Sequence, residues 1–188
     1  MDRNSPKPFA EAARGAFPFA GRALAEQAIG CLSRFVDDSY RMRSAEFDVL
    51  GETVRLPNRL YFPGLSATDP MMAGLPPAAL CLVSRATDGY LRQRAVVSLL
   101  GVGDAWAAPF VASLLADYVR EIVEPIHDGL PALNRSIYAN LVRENRGAFR
   151  VLRARATSYW AAYYRHLYPE KRDYPGLKAL HEMEAWAA

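Results

Sequence analysis

The chain has 188 residues, 51% of them hydrophobic, which is enough for one sizeable core. Its 23 basic and 20 acidic residues nearly cancel, so globular order is expected and wholesale disorder is excluded. Charged residues break every apolar run before the roughly 20 residues a spanning helix needs, and two cysteines, Cys31 and Cys81, make neither a disulfide framework nor a zinc set.

The start of the chain, with an early acid and several prolines, does not read as a signal peptide; a cytoplasmic, reducing setting is expected. Residues 1–16 read as loosely ordered or partly helical. From Pro18 to about Met42 the spacing predicts a helix, with Leu24, Ala28, Cys31 or Leu32, Phe35 and Ser39 on one face. Alternation around Gly51 predicts a small β-hairpin insertion over 46–57, followed by a proline- and glycine-rich connector over 63–77. Helices are then expected from Leu75 to Arg85, from Asp88 to Leu100, and from Trp106 to about Ile122 behind Asp104. A loop near "HDGLPALN" leads to one long helix from Ser136 to Tyr168, and a last short helix runs from Tyr174 to Trp186.

The segment "ATDGYLRQRAVVSLL" sets an arginine inside an apolar pattern. Its spacing of Asp88, Leu91, Arg92, Ala95 and Leu99 resembles the second helix of a HEAT-type helical repeat, with "PPAALCLVSR" as the first helix. The likeness covers about residues 76–100. It implies that Asp88 caps its helix and that Arg92 bonds carboxylate or carbonyl groups of a neighbouring hairpin. Independently of any family, a guanidinium at a helix interface must be paired, so both residues read as structural.

At 100° per residue the long helix carries three stripes. Tyr138, Leu141, Val142, Asn145, Phe149, Leu152, Ala156, Tyr159 and Tyr163 form a core face. Gly147, Val151, Ala154, Ser158 and Ala161 or Ala162 form a small-residue face that suggests a second covering helix, hence a central position. Between them run Arg143, Arg146, Arg150, Arg153, Thr157, Trp160, Tyr164 and Tyr168. From Leu141 to Arg172 eight basic residues meet two acidic ones, a local +6 that leaves about −3 for the rest of a +3 chain. An acidic stripe, Asp117, Glu121, Glu124 and Asp128, stands ready to neutralise Arg143, Arg146 and Arg150 across a helical hairpin. Arg153 and Arg165 lie beyond its reach and read as a free basic patch.

No catalytic residue is nominated, and no cofactor is expected. Glu121, Glu124 and His127 give half of a di-iron ligand set, but no second Glu-x-x-His exists and Pro125 interrupts the turn. No serine sits in a nucleophile elbow, and Gly101 and Gly103 lack the lysine of a phosphate loop. The expected fold is therefore mainly α: a single domain over 1–188, about six helices in an orthogonal, HEAT-like array around one long central helix, with a small hairpin. The expected role is a non-catalytic interaction or scaffold protein that offers a helical surface to another protein. Nucleic-acid or other polyanion binding is the alternative, and membrane insertion is not expected. The contact candidates are Arg150, Arg153, Trp160, Tyr164, Arg165, Tyr168 and Arg172.

Overall fold

The computed structural model describes residues 9–37 and 43–188. Among them are nine α-helices and one two-stranded antiparallel sheet, a mainly α fold with a small hairpin. The contacts group the chain into two compact units, one ending at Leu99 and the other running from Leu100 to Ala188.

In the first unit, α1 (Phe9–Gly15) buries Phe9 and Ala13, so this part of the stretch expected to be loosely ordered or partly helical is a packed helix. Phe9 meets Phe62 edge-to-face at 6.1 Å. The helix α2 (Arg22–Leu32) turns Ala25, Ala28 and Leu32 inward, so Leu32 and not Cys31 faces the core. It ends ten residues before Met42, which lies outside the described residues. Strands β1 (Ser44–Val49) and β2 (Glu52–Pro57) pair with Phe47 opposite Val54, and Phe47, Val49, Val54 and Leu56 are buried. The hairpin turn has both central residues left-handed, Leu50 at φ 55° and Gly51 at 79°, which matches the right-handed twist of the strands. Leu50, a rare residue in that region, is exposed.

Helices α3 (Pro77–Val83) and α4 (Gly89–Leu99) pack together, and every residue of α3 from Ala78 to Val83 is buried. Two arginines are sunk at their junction. Arg85 reaches the Pro57 carbonyl at 2.9 Å and the Asn58 carbonyl at 3.1 Å. Arg92, fully buried, donates to the carbonyls of Ala86 (3.0 Å) and Thr87 (2.9 Å). The Asp88 carboxylate accepts from the N–H groups of Tyr90 (2.7 Å) and Leu91 (3.3 Å), capping α4. The acceptors located for Arg92 belong to the turn before its own helix and not to a neighbouring hairpin. A buried guanidinium can be tolerated there because carbonyl oxygens, concentrated at a helix–helix turn, replace its water.

The second unit departs most from expectation. The predicted helix from Trp106 to Ile122 is two helices, α5 (Ala108–Leu114) and α6 (Arg120–Gly129). Asp117 makes the break: its side chain accepts from the Val119 N–H at 3.0 Å, an Asx turn that outcompetes the helix. The stretch from His127 to Gly129, expected as loop, closes α6. The supposed rod from Ser136 is also divided, into α7 (Arg135–Glu144) and α8 (Arg146–Tyr159). At the joint Asn145 sits at φ −124°, ψ 35°, and its amide donates to the Leu141 carbonyl at 2.9 Å. Buried Asn145 thus trades a regular turn for a side-chain bond.

The helix α9 (Pro175–Trp186) packs against α6, α7 and α8, and buries Pro175, Gly176, Ala179, Leu180 and Met183. That makes the short last helix the hub of the unit. By contrast α8 buries only Phe149, Leu152 and Ala156; Gly147, Val151, Ala154 and Ser158 are exposed. The expectation of a central helix covered on two sides is corrected: α8 is covered on one. Close packing at the hub starts at Gly176, where an added Cβ would stand 2.7 Å from the Leu115 carbonyl oxygen and 3.2 Å from Val123.

Replacing Arg92 with Met keeps the apolar stem but leaves the Ala86 and Thr87 carbonyls without this donor. Chemical denaturation should show a loss of about 2–3 kcal/mol, and a loss under about 0.5 kcal/mol would refute the anchoring role.

Candidate functional site

Beyond α8 the helix widens into a π turn, Trp160–Tyr164. Helix geometry dictates its effect on facing. In a regular α-helix Tyr164 would come five full turns after Arg146, on the arginine stripe, and Tyr163 would line the core. A π turn takes in one extra residue and rotates the residues beyond it by about 100°. Tyr163 accordingly swings out to 56% exposure, and Tyr164 swings in. The Tyr164 hydroxyl donates to the Tyr118 carbonyl and accepts from the Arg120 N–H at 3.1 Å, bridging the gap between α5 and α6.

Tyr164 also stacks on Tyr174, centroids 5.6 Å apart, and Tyr168 meets the same ring edge-on at 5.7 Å. The Tyr168 hydroxyl donates to Glu124 at 2.8 Å. Trp160 gives its Nε1–H to the Tyr168 carbonyl at 2.8 Å, and the Arg165 guanidinium lies 5.0 Å over the indole. Burial pushes the hydroxyls of Tyr174, Tyr164 and Tyr168 above the usual phenol range. Tyr174, the most strongly affected, has a buried hydroxyl with no hydrogen-bond partner among the described residues. Of the contact candidates, then, Trp160, Tyr164, Arg165 and Tyr168 are largely engaged within the fold.

The charge ladder differs too. Glu124 pairs with Arg120 of its own helix at 3.5 Å, Glu121 with the same arginine at 3.7 Å, and Asp128 with His127 at 2.9 Å. The acidic stripe therefore does not neutralise the arginine stripe. Arg143 bonds Asn140 (2.7 Å) and the Ala187 carbonyl (3.3 Å). Arg153, expected to be free, forms an ion pair with Glu184 of α9. Arg146, Arg150 and Arg155 are exposed and have no ion pair among the described residues. Between Arg146 and Pro169 the chain carries five arginines and no acid.

Two surfaces result. One is the outer side of α8, where Gly147, Val151, Ala154 and Ser158 form an exposed strip of small residues with Arg146 and Arg150 along one border and Arg155 along the other. Val151 is 57% exposed at its middle. The other is a cleft of about 620 Å³ beside α9, lined by Arg153 and Thr157 of α8, His127 of α6, Lys171 and Arg172, and Leu177, Lys178 and His181 among others. Arg172 was legible as a candidate; Lys178 and His181 were not, because only the seating of α9 brings them opposite Arg153. Among the described residues no group of three or more His, Cys, Asp or Glu could hold a metal ion, and no helix is long and apolar enough to cross a membrane. No family model, curated protein or solved structure matches the chain.

Two tyrosine variants separate the roles. Tyr164→Phe strands the Arg120 N–H and should cost about 1–2 kcal/mol, whereas Tyr174→Phe removes an unpartnered buried hydroxyl and should gain about 1 kcal/mol. Equal effects in urea denaturation would refute this division. The same raised hydroxyls predict alkaline sensitivity. Unfolded tyrosines ionise near pH 10 while the folded ones stay neutral, so their contribution is complete below about pH 10 and is lost as pH rises through the folded values. Thermal melts should fall more steeply above about pH 10 in wild type than in Tyr174→Phe.

Proposed function

We propose that the protein is a non-catalytic interaction module whose outer α8 face docks an acidic amphipathic helix of another protein. The observation that carries this reading is the exposed strip around Val151, bordered on both sides by arginines without an ion pair among the described residues, in a stretch without acids. Small residues let a second helix approach closely, and flanking guanidinium groups select a partner with carboxylates at the matching borders. The α3–α4 pair, with its capping Asp88 and buried Arg92, supports reading that hairpin as HEAT-like, a type of element suited to presenting helical surfaces. Polyanion binding ranks second, because Trp160 and Tyr164, which base stacking would use, already serve the fold. A cytoplasmic setting accords with Cys31 and Cys81 both standing as thiols.

The test uses a synthetic amphipathic helix with alanine and leucine on one side and glutamates on both borders, monitored by fluorescence anisotropy. Wild type should bind it, and binding should weaken at least about tenfold in Arg150→Glu/Arg155→Glu and in Val151→Glu, with melting temperatures unchanged because all three side chains are exposed. Equal affinity for a lysine-bordered peptide would refute the proposal.

A further inference from the structure

The cleft beside α9 lies off the outer α8 face and calls for a different ligand. Its walls carry Lys171, Arg172 and Lys178, all exposed and without an ion pair among the described residues. Two acids, Asp173 and Glu182, also line it, yet neither lies within ion-pair distance of those cations. Arg153, held by Glu184, presents a fourth cation, the second guanidinium of the cleft. Leu177 and Ala185 supply apolar lining beside Thr157, and long side chains such as those of Lys178 and Arg153 carry aliphatic stems that can cover apolar surface. A volume of about 620 Å³ falls within the range of small-molecule sites, about 300–1,000 Å³.

We infer that this cleft binds a small organic phosphomonoester, its ring or chain against Leu177 and its dianionic head between Arg172 and Lys178. Several independent cations converge on a region large enough for a ring system, and a phosphate dianion answers more of them than a carboxylate does. The guanidinium of Arg172 offers a fork for two phosphate oxygens, and Lys178 supplies a point charge from the facing turn of α9. Leu177 and Ala185 give an apolar body a reason to bind that a bare ion lacks.

Isothermal titration of the full chain with 2-naphthyl phosphate, 2-naphthol and inorganic phosphate tests this directly. Saturable binding of 2-naphthyl phosphate is expected, with naphthol and inorganic phosphate each at least about tenfold weaker. Arg172→Ala/Lys178→Ala should weaken it at least about tenfold at an unchanged melting temperature, while Arg150→Glu leaves it intact. No saturable binding below about 5 mM, equal binding of naphthol or of inorganic phosphate, or full affinity in the double variant would each overturn the inference. None of these results bears on the α8 face, which Arg150→Glu/Arg155→Glu probes separately.

Discussion

The second unit depends on one hydroxyl. Where Asp117 breaks the chain between α5 and α6, the first turn of α6 is left with unpaired N–H groups, as every helix start is. Asp117 answers the one on Val119, and Tyr164, arriving from forty-four residues downstream, answers the one on Arg120 while binding the Tyr118 carbonyl. The junction is thereby closed by a side chain from outside it. The same ring rests on Tyr174, the residue that introduces α9, so the break, the π turn and the hub helix are fastened at one point. Gly176 lets that hub come close enough for the Leu115 carbonyl to touch its first turn.

Much of this was legible one residue at a time. The periodicity through Tyr138, Leu141, Val142, Phe149, Leu152 and Ala156 picks out the buried side of α7 and α8 even though the helix is interrupted between them. The hairpin around Gly51 and the cap at Asp88 are local signals, carried by turn and capping chemistry, and they appear where the pattern puts them. What periodicity could not register is a change of phase. Asn145 and Asp117 each substitute a side-chain bond for a turn of helix, and a wheel drawn at constant pitch passes through both. The π turn is a clearer case still: it exchanges the facings of Tyr163 and Tyr164, so a contact candidate became an internal tie and a core residue became surface.

The charges were misassigned for a related reason. Acid and arginine stripes with matching steps invite pairing, but the partners are settled by which helices lie side by side. Because α9 is wedged against α6, α7 and α8, Glu184 captures Arg153, and the acids of α6 satisfy Arg120, His127 and Tyr168 instead. Arg146, Arg150 and Arg155 are left over by this arrangement. The cleft has the same origin, since its two walls are remote in sequence and meet only through the packing of α9.

The division of the chain at Leu99 has an optical corollary. All three tryptophans, Trp106, Trp160 and Trp186, fall after it, and the first unit has none. Indole emission therefore watches the C-terminal half alone, while a global probe such as far-ultraviolet dichroism senses both halves together. Any lag between the two signals during denaturation reads out, without a label, how independently the halves come apart.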